Sequence, residues 1–151
     1  MADVTHPFTG GARLLGPART EFRFWAPAQQ KVALQVEELP LIKMSRDQTG
    51  WYTAEADCGA GAAYCYVLDD GSKVPDPASR AQVSDVHGPS VVIDRAGYAW
   101  RKPDWRGRPW HECILYELHP GLYGGFEGIR DRLDEFQELG VTAIELMPIN
   151  D

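Results

Sequence analysis

The chain has 151 residues, 44% hydrophobic and 25% charged, with a net charge of −7. That balance is typical of folded globular proteins and excludes a disordered class. An acidic chain without a Lys/Arg cluster also lacks the basic face that nucleic-acid binding requires. The length suits one domain, or a small domain and a piece of another, and falls short of the ~250 residues of a complete eight-stranded α/β barrel.

The opening residues Met1-Ala2-Asp3-Val4-Thr5-His6 carry no basic region followed by an apolar one. No later apolar run approaches the ~20 residues of a membrane span. The expectation is a cytoplasmic protein with no membrane partner. Cys58, Cys65 and Cys113 are odd in number and lack a Cys-x-x-Cys spacing, so they read as buried free thiols rather than a disulfide framework or a zinc site. Neither a metal nor a cofactor is implied.

From Glu21 to about Ile93 the hydrophobic pattern has period two. Val32, Leu34 and Val36 share one face while Lys31, Gln35 and Glu37 share the other, as in a half-buried strand. Glu21–Trp25, Trp51–Ala56 and Tyr64–Leu68 follow the same rule, and Val91–Ile93 predicts a short last strand. Turn residues separate them, among them Asp69-Asp70-Gly71, whose Asp-Gly pair predicts a tight hairpin with positive φ at both central positions. Many short strands without a helical pattern predict an antiparallel β-sandwich. Two prolines keep Lys73–Arg80 out of a central strand and predict an ordered surface loop.

The stretch Trp100–Trp110 mixes Pro, Arg and Trp without periodicity and reads as a connector. After it the grammar changes. Cys113–Leu118 is almost continuously apolar, as in a strand buried on both faces of a parallel sheet. A glycine-rich turn from Pro120 to Gly125 follows. Phe126, Ile129, Leu133, Phe136 and Leu139 then recur at helical spacing, Gly140 supplies a stop, and Val141–Pro148 reads as a second buried strand. The result is a right-handed β-α-β unit.

Gly140–Pro148 resembles the second-strand signature of glycoside hydrolase family 13, the α-amylase superfamily, and Ile114-Leu115-Tyr116-Glu117-Leu118-His119 resembles its first barrel strand. Phe24-Trp25-Ala26-Pro27 is similar to the opening of the immunoglobulin-like module that precedes the barrel in branching, debranching and trehalohydrolase members. Pro75-Asp76-Pro77-Ala78-Ser79-Arg80, Val86-His87-Gly88-Pro89-Ser90 and Trp105-Arg106-Gly107-Arg108-Pro109 look most like the trehalohydrolase branch. The resemblance covers nearly everything beyond Arg19. It implies an all-β immunoglobulin-like sandwich followed by the first β-α-β unit of a truncated (β/α)8 barrel. The expected layout is an extension over 1–20, the sandwich over 21–98, a linker over 99–111 and the start of the barrel over 112–151.

The same resemblance implies cleavage of the α-1,4 bond next to the trehalose end of a malto-oligosyltrehalose, with that glucan as partner. A retaining displacement needs a nucleophilic carboxylate and a protonated one about 5 Å apart. The family draws its nucleophilic Asp, acid Glu and stabilising Asp from strands four, five and seven, so no catalytic residue is expected within this chain. Alternatives are the corresponding part of a branching or isoamylase-type debranching enzyme, or a non-catalytic glycan-binding module. The β-α-β segment favours an enzyme, since a binding module has no use for a quarter of a barrel.

Among individual residues, His119 at the end of the first barrel strand is the candidate for a substrate-binding wall. Glu117 and Glu145 lie inside their strands and read as structural ion-pair partners. His6, His87 and His111 read as loop hydrogen-bonders, and the five tryptophans as core or interface area. The turn from His119 to Phe126 is shorter than the family pattern and has Pro120 where an apolar residue is common, so the resemblance assigns no substrate contact to the loop 120–125. The apolar side chains Ile114, Leu115, Leu118, Ile144, Leu146 and Met147 would lose their covering in an incomplete barrel, which predicts self-association or mobility there.

Overall fold

The computed structural model describes residues 10–149. Contacts divide the chain into two units, one running to Ala99 and the other from Trp100.

The first unit is two antiparallel sheets sharing one core. Strands β1 (Gly11–Gly16), β2 (Arg19–Trp25), β3 (Ala33–Val36), β4 (Ile42–Lys43), β5 (Ser45–Arg46), β6 (Trp51–Ala56), β7 (Ala63–Val67), β8 (Lys73–Val74) and β9 (Ser90–Val91) follow in order. One sheet runs β1-β2-β6-β5. The other runs β4-β3-β7-β8, with β9 also on β7. Period-two side chains from both meet in the middle: Phe22 and Phe24 from β2 face Tyr64 and Tyr66 from β7, with ring centroids 4.8 and 4.2 Å apart. Leu34, Val36, Tyr52 and Val92 complete the core at 0–1% exposure. Met44 is buried where the chain leaves β4 in one sheet for β5 in the other.

Three expectations need correction in this unit. The strand β1 lies inside the segment expected as an extension, and its Ala12 and Leu14 pack against the core. Lys73–Arg80 is not wholly surface loop: Lys73–Val74 is an edge strand and Asp76 is 4% exposed. The turn after β7 is not the two-residue type either. The Gly71 amide donates to the Leu68 carbonyl and the Leu68 amide to the Ser72 carbonyl, and of Asp69, Asp70 and Gly71 only Gly71 has positive φ, +83°. This is a three-residue loop with glycine in the left-handed position, which spares Asp70 that strain.

Between β5 and β6, one Asp47 oxygen accepts from the Thr49 hydroxyl at 2.8 Å and from the amides of Thr49 and Trp51 at 2.8 and 3.0 Å. These bonds, the hydroxyl's first, hold its carboxyl below the usual range. No tryptophan belongs to the core. Trp25, Trp100, Trp105 and Trp110 are all more than half exposed, and Trp51 is half-buried under the Arg23 guanidinium. The smaller Phe and Tyr rings on inward positions fill the space between the sheets instead.

The place of β1 sets a testable boundary. A chain of residues 10–98 is expected to melt cooperatively, and one of residues 20–98 to be less stable by roughly 2 kcal/mol or more, from lost burial of Leu14 and Ala12 and a bared β2 edge. Equal urea midpoints would remove β1 from the folding unit.

The second unit carries a 3₁₀ turn at Trp110–Glu112, β10 (Leu115–Leu118), a 3₁₀ turn at Pro120–Tyr123, α1 (Gly125–Arg130), α2 (Leu133–Glu138) and β11 (Ala143–Leu146). The expected single helix is two short ones, broken at Asp131–Arg132, and only Ile129 and Phe136 of the five periodic apolar residues are buried. Gly140 does end α2. At φ +90° it donates to Gln137 while Val141 donates to Phe136, a Schellman cap that a β-carbon would strain.

Candidate functional site

Strands β10 and β11 pair in parallel, aligning Leu115 with Ala143, Tyr116 with Ile144, Glu117 with Glu145 and Leu118 with Leu146. Tyr116 and Ile144 pack with Leu118, Ile129 and Phe136 on the helix side. Alternation then puts Leu115, Glu117, Ala143 and Glu145 on the opposite face. The strands are not buried on both faces as expected: Leu115 is 48% and Ile114 57% exposed, and only Leu118, at 4%, is fully covered.

Glu117 and Glu145 therefore sit side by side on an exposed face. Among the described residues neither is in an ion pair, so the expected structural pairing is absent. Like charges opposite one another in a sheet repel. Both project from one surface of the two-stranded sheet.

His119 caps the 3₁₀ turn after β10. Its Nδ1 accepts from the Gly121 amide at 3.1 Å, which in the neutral ring leaves the proton on Nε2 of this exposed residue. Behind the turn, the Tyr116 and Tyr123 hydroxyls meet at 3.3 Å. That bond raises the Tyr123 ionisation above its ordinary value. His111 lies 3.8 Å from Glu112, the His87 amide donates to Asp85, and His6 lies outside the described residues. Among the described residues no three His, Cys, Asp or Glu side chains converge as a metal site would need.

The cysteines are free and half-buried, less enclosed than expected. Burial pushes the Cys58 and Cys65 thiols up, away from nucleophilic reactivity at neutral pH. Among the described residues no helix is long and apolar enough to cross a membrane.

The mostly β fold, with few helices, is shared with enzymes of the α-amylase family. A crystal structure from Salmonella typhimurium, which carries the name alpha amylase as a provisional assignment, superposes with TM-score 0.85 and 42% identity over 93% of this chain and 24% of its own. A pullulanase from Anoxybacillus sp. LM18-11 complexed with maltotetraose shares the fold at TM-score 0.76 and 24% identity, over 94% of this chain and 25% of its own.

In sequence the chain is similar to the N-terminal portion of malto-oligosyltrehalose trehalohydrolases. It is 42% identical to that of Saccharolobus solfataricus over 85% of this chain and 23% of the relative. For that of Deinococcus radiodurans the figures are 36%, 93% and 24%. The chain thus spans about a quarter of the length of the curated relatives it matches. No family model matches it.

Proposed function

We propose that this chain is the N-terminal part of a glycoside hydrolase that cleaves the α-1,4 bond next to the trehalose end of malto-oligosyltrehalose and releases trehalose. The 42% identity to a trehalohydrolase across 85% of the chain carries this reading. The parallel pairing of β10 with β11 across two helices supports it, because that is how a (β/α)8 barrel begins. In this reading the two-sheet unit is an immunoglobulin-like module and β10 to β11 is the first quarter of the catalytic barrel. A debranching enzyme is the second reading, favoured by 35% identity over 56% of this chain to the glycogen debranching enzyme of Dickeya chrysanthemi.

His119 then lines the substrate pocket of the complete enzyme, since barrel enzymes act at the C-terminal ends of their strands and its Nε2–H is left available to a sugar oxygen. The α-glucan is the partner, met only in the complete enzyme. Free, unpaired cysteines support a cytoplasmic place. The purified chain is expected to release no trehalose from malto-oligosyltrehalose above a buffer control, for want of two carboxylates flanking a bond. Measurable release would overturn the assignment of catalysis to later strands. Coding sequence continuing past Asp151 into strands that end in Asp and Glu would support the enzyme reading, and its absence would count against it.

A further inference from the structure

The first unit carries an unassigned groove where an outward row of the second sheet meets β5 and β6 of the first. Register aligns three of its lining side chains: Ala33 pairs with Lys43 on one side and with Val67 on the other. Their neighbours Leu34 and Tyr66 point into the core, so this row points outward. Ala33 and Val67 form its floor beside Lys43. Gln30, Lys31, Leu41, Ser45 and Arg46 extend its walls around an open volume of about 860 Å³, within the size range of small-molecule sites.

The charge of the lining runs against that of the chain. Lys31, Lys43 and Arg46 line the groove, and Asp69 is its only carboxylate. Both Asp69 oxygens are committed to the amides of Gln30 and Lys31, at 2.6 Å each. In the first sheet, by contrast, Arg13 pairs with Glu21 and Arg19 with Glu55. Among the described residues Lys31 and Lys43 pair with no carboxylate side chain. The Arg46 guanidinium is held in place over the Tyr52 ring, 5.9 Å from its centroid, and donates to the Pro27 carbonyl at 3.1 Å. That leaves other guanidinium N–H groups for a planar anionic acceptor. A neutral glucan finds no stacking platform here, since the only ring in the lining, Tyr52, is 1% exposed.

We propose that this groove binds a small phosphate-bearing ligand, its anionic groups between Lys31, Lys43 and Arg46 and its body over Ala33 and Val67. The proposal does not depend on the glycosidase reading. Inorganic pyrophosphate is the probe, added to the 151-residue chain at low salt and followed by amide shifts in NMR. Saturable shifts are expected at Ala33, Lys43 and Val67. Lys43→Glu and Lys31→Glu, both at exposed positions, should each weaken binding by about tenfold or more, the loss of a charge-assisted contact. Lys102→Glu, with the same charge change on an exposed residue of the other unit, should stay within about twofold of the parent. Absence of saturation, equal weakening by Lys102→Glu, or maltotetraose shifting these amides where pyrophosphate does not would each overturn the proposal. Unchanged far-UV spectra of the variants establish that a loss of binding is not a loss of folding.

Discussion

Asp76→Ala is expected to destabilise the first unit by about 3–5 kcal/mol. The Asp76 side chain is buried, and one of its oxygens accepts from the Tyr64 hydroxyl at 2.7 Å and the Tyr66 hydroxyl at 3.1 Å. The other accepts from the Ala78 amide at 2.8 Å, and the Asp76 amide itself donates to Ser90 at 2.9 Å. Burial, reinforced by the Asp76 charge, drives the ionisation of both tyrosines far up, so both phenols stay protonated donors. Alanine leaves two buried hydroxyls without an acceptor, and bonds to a charged group are worth about 1.5–3 kcal/mol each. For a unit of this size the melting temperature should fall by more than about 12 °C. Asp57→Ala, at an exposed position, should stay within ~0.5 kcal/mol of the parent. A chemical-denaturation loss below about 1 kcal/mol for Asp76→Ala would show that the network is not holding the loop.

This network gives the Pro75–Arg80 stretch a physical role. The segment resembles trehalohydrolases in sequence, and in the fold its aspartate ties the loop after β8 to the tyrosines of β7 and, through Ser90, to β9. The similarity at this point is accounted for by architecture, with no substrate contact needed.

Period-two alternation made β2, β3, β6 and β7 readable because each buries every second residue against the opposite sheet. It could not reveal β4 and β5, which are two residues long and exist only by pairing at sheet edges. In the second unit the helical spacing was real, yet it records which face is apolar and says nothing of what covers that face. Phe126 and Leu139 keep the spacing while lying 58% and 73% exposed. His119 was readable as a strand-end residue, but its capping bond to Gly121 follows from the tight 3₁₀ turn and has no sequence signature. The groove was hidden for a different reason. Lys43 shares a row with Ala33 and Val67 only through strand register, and sequence distance conceals that alignment.

Amides of β10 are expected to exchange on the order of a hundredfold faster than those of β7, with the second unit opening while the first stays folded. The two units bury very different cores: twelve apolar side chains in the first, and Leu118, Ile129 and Phe136 in the second. A two-stranded sheet has marginal stability without further strands, and here both strands are edges. Glu117 beside Glu145 adds repulsion on the uncovered face. On the helix side an open groove of about 680 Å³, lined by Leu133, Phe136, Val141 and Ile144 among others, leaves apolar surface in water. Raising the concentration should slow exchange at Leu115 and Ile144 as copies cover one another, and light scattering should register a larger mass over the same range. A chain that stays monomeric at high concentration, with amides at Leu115 and Ile144 as protected as those at Tyr64 and Tyr66, would overturn this. Such an outcome would mean that β10 and β11 already have the covering that a complete barrel would otherwise supply.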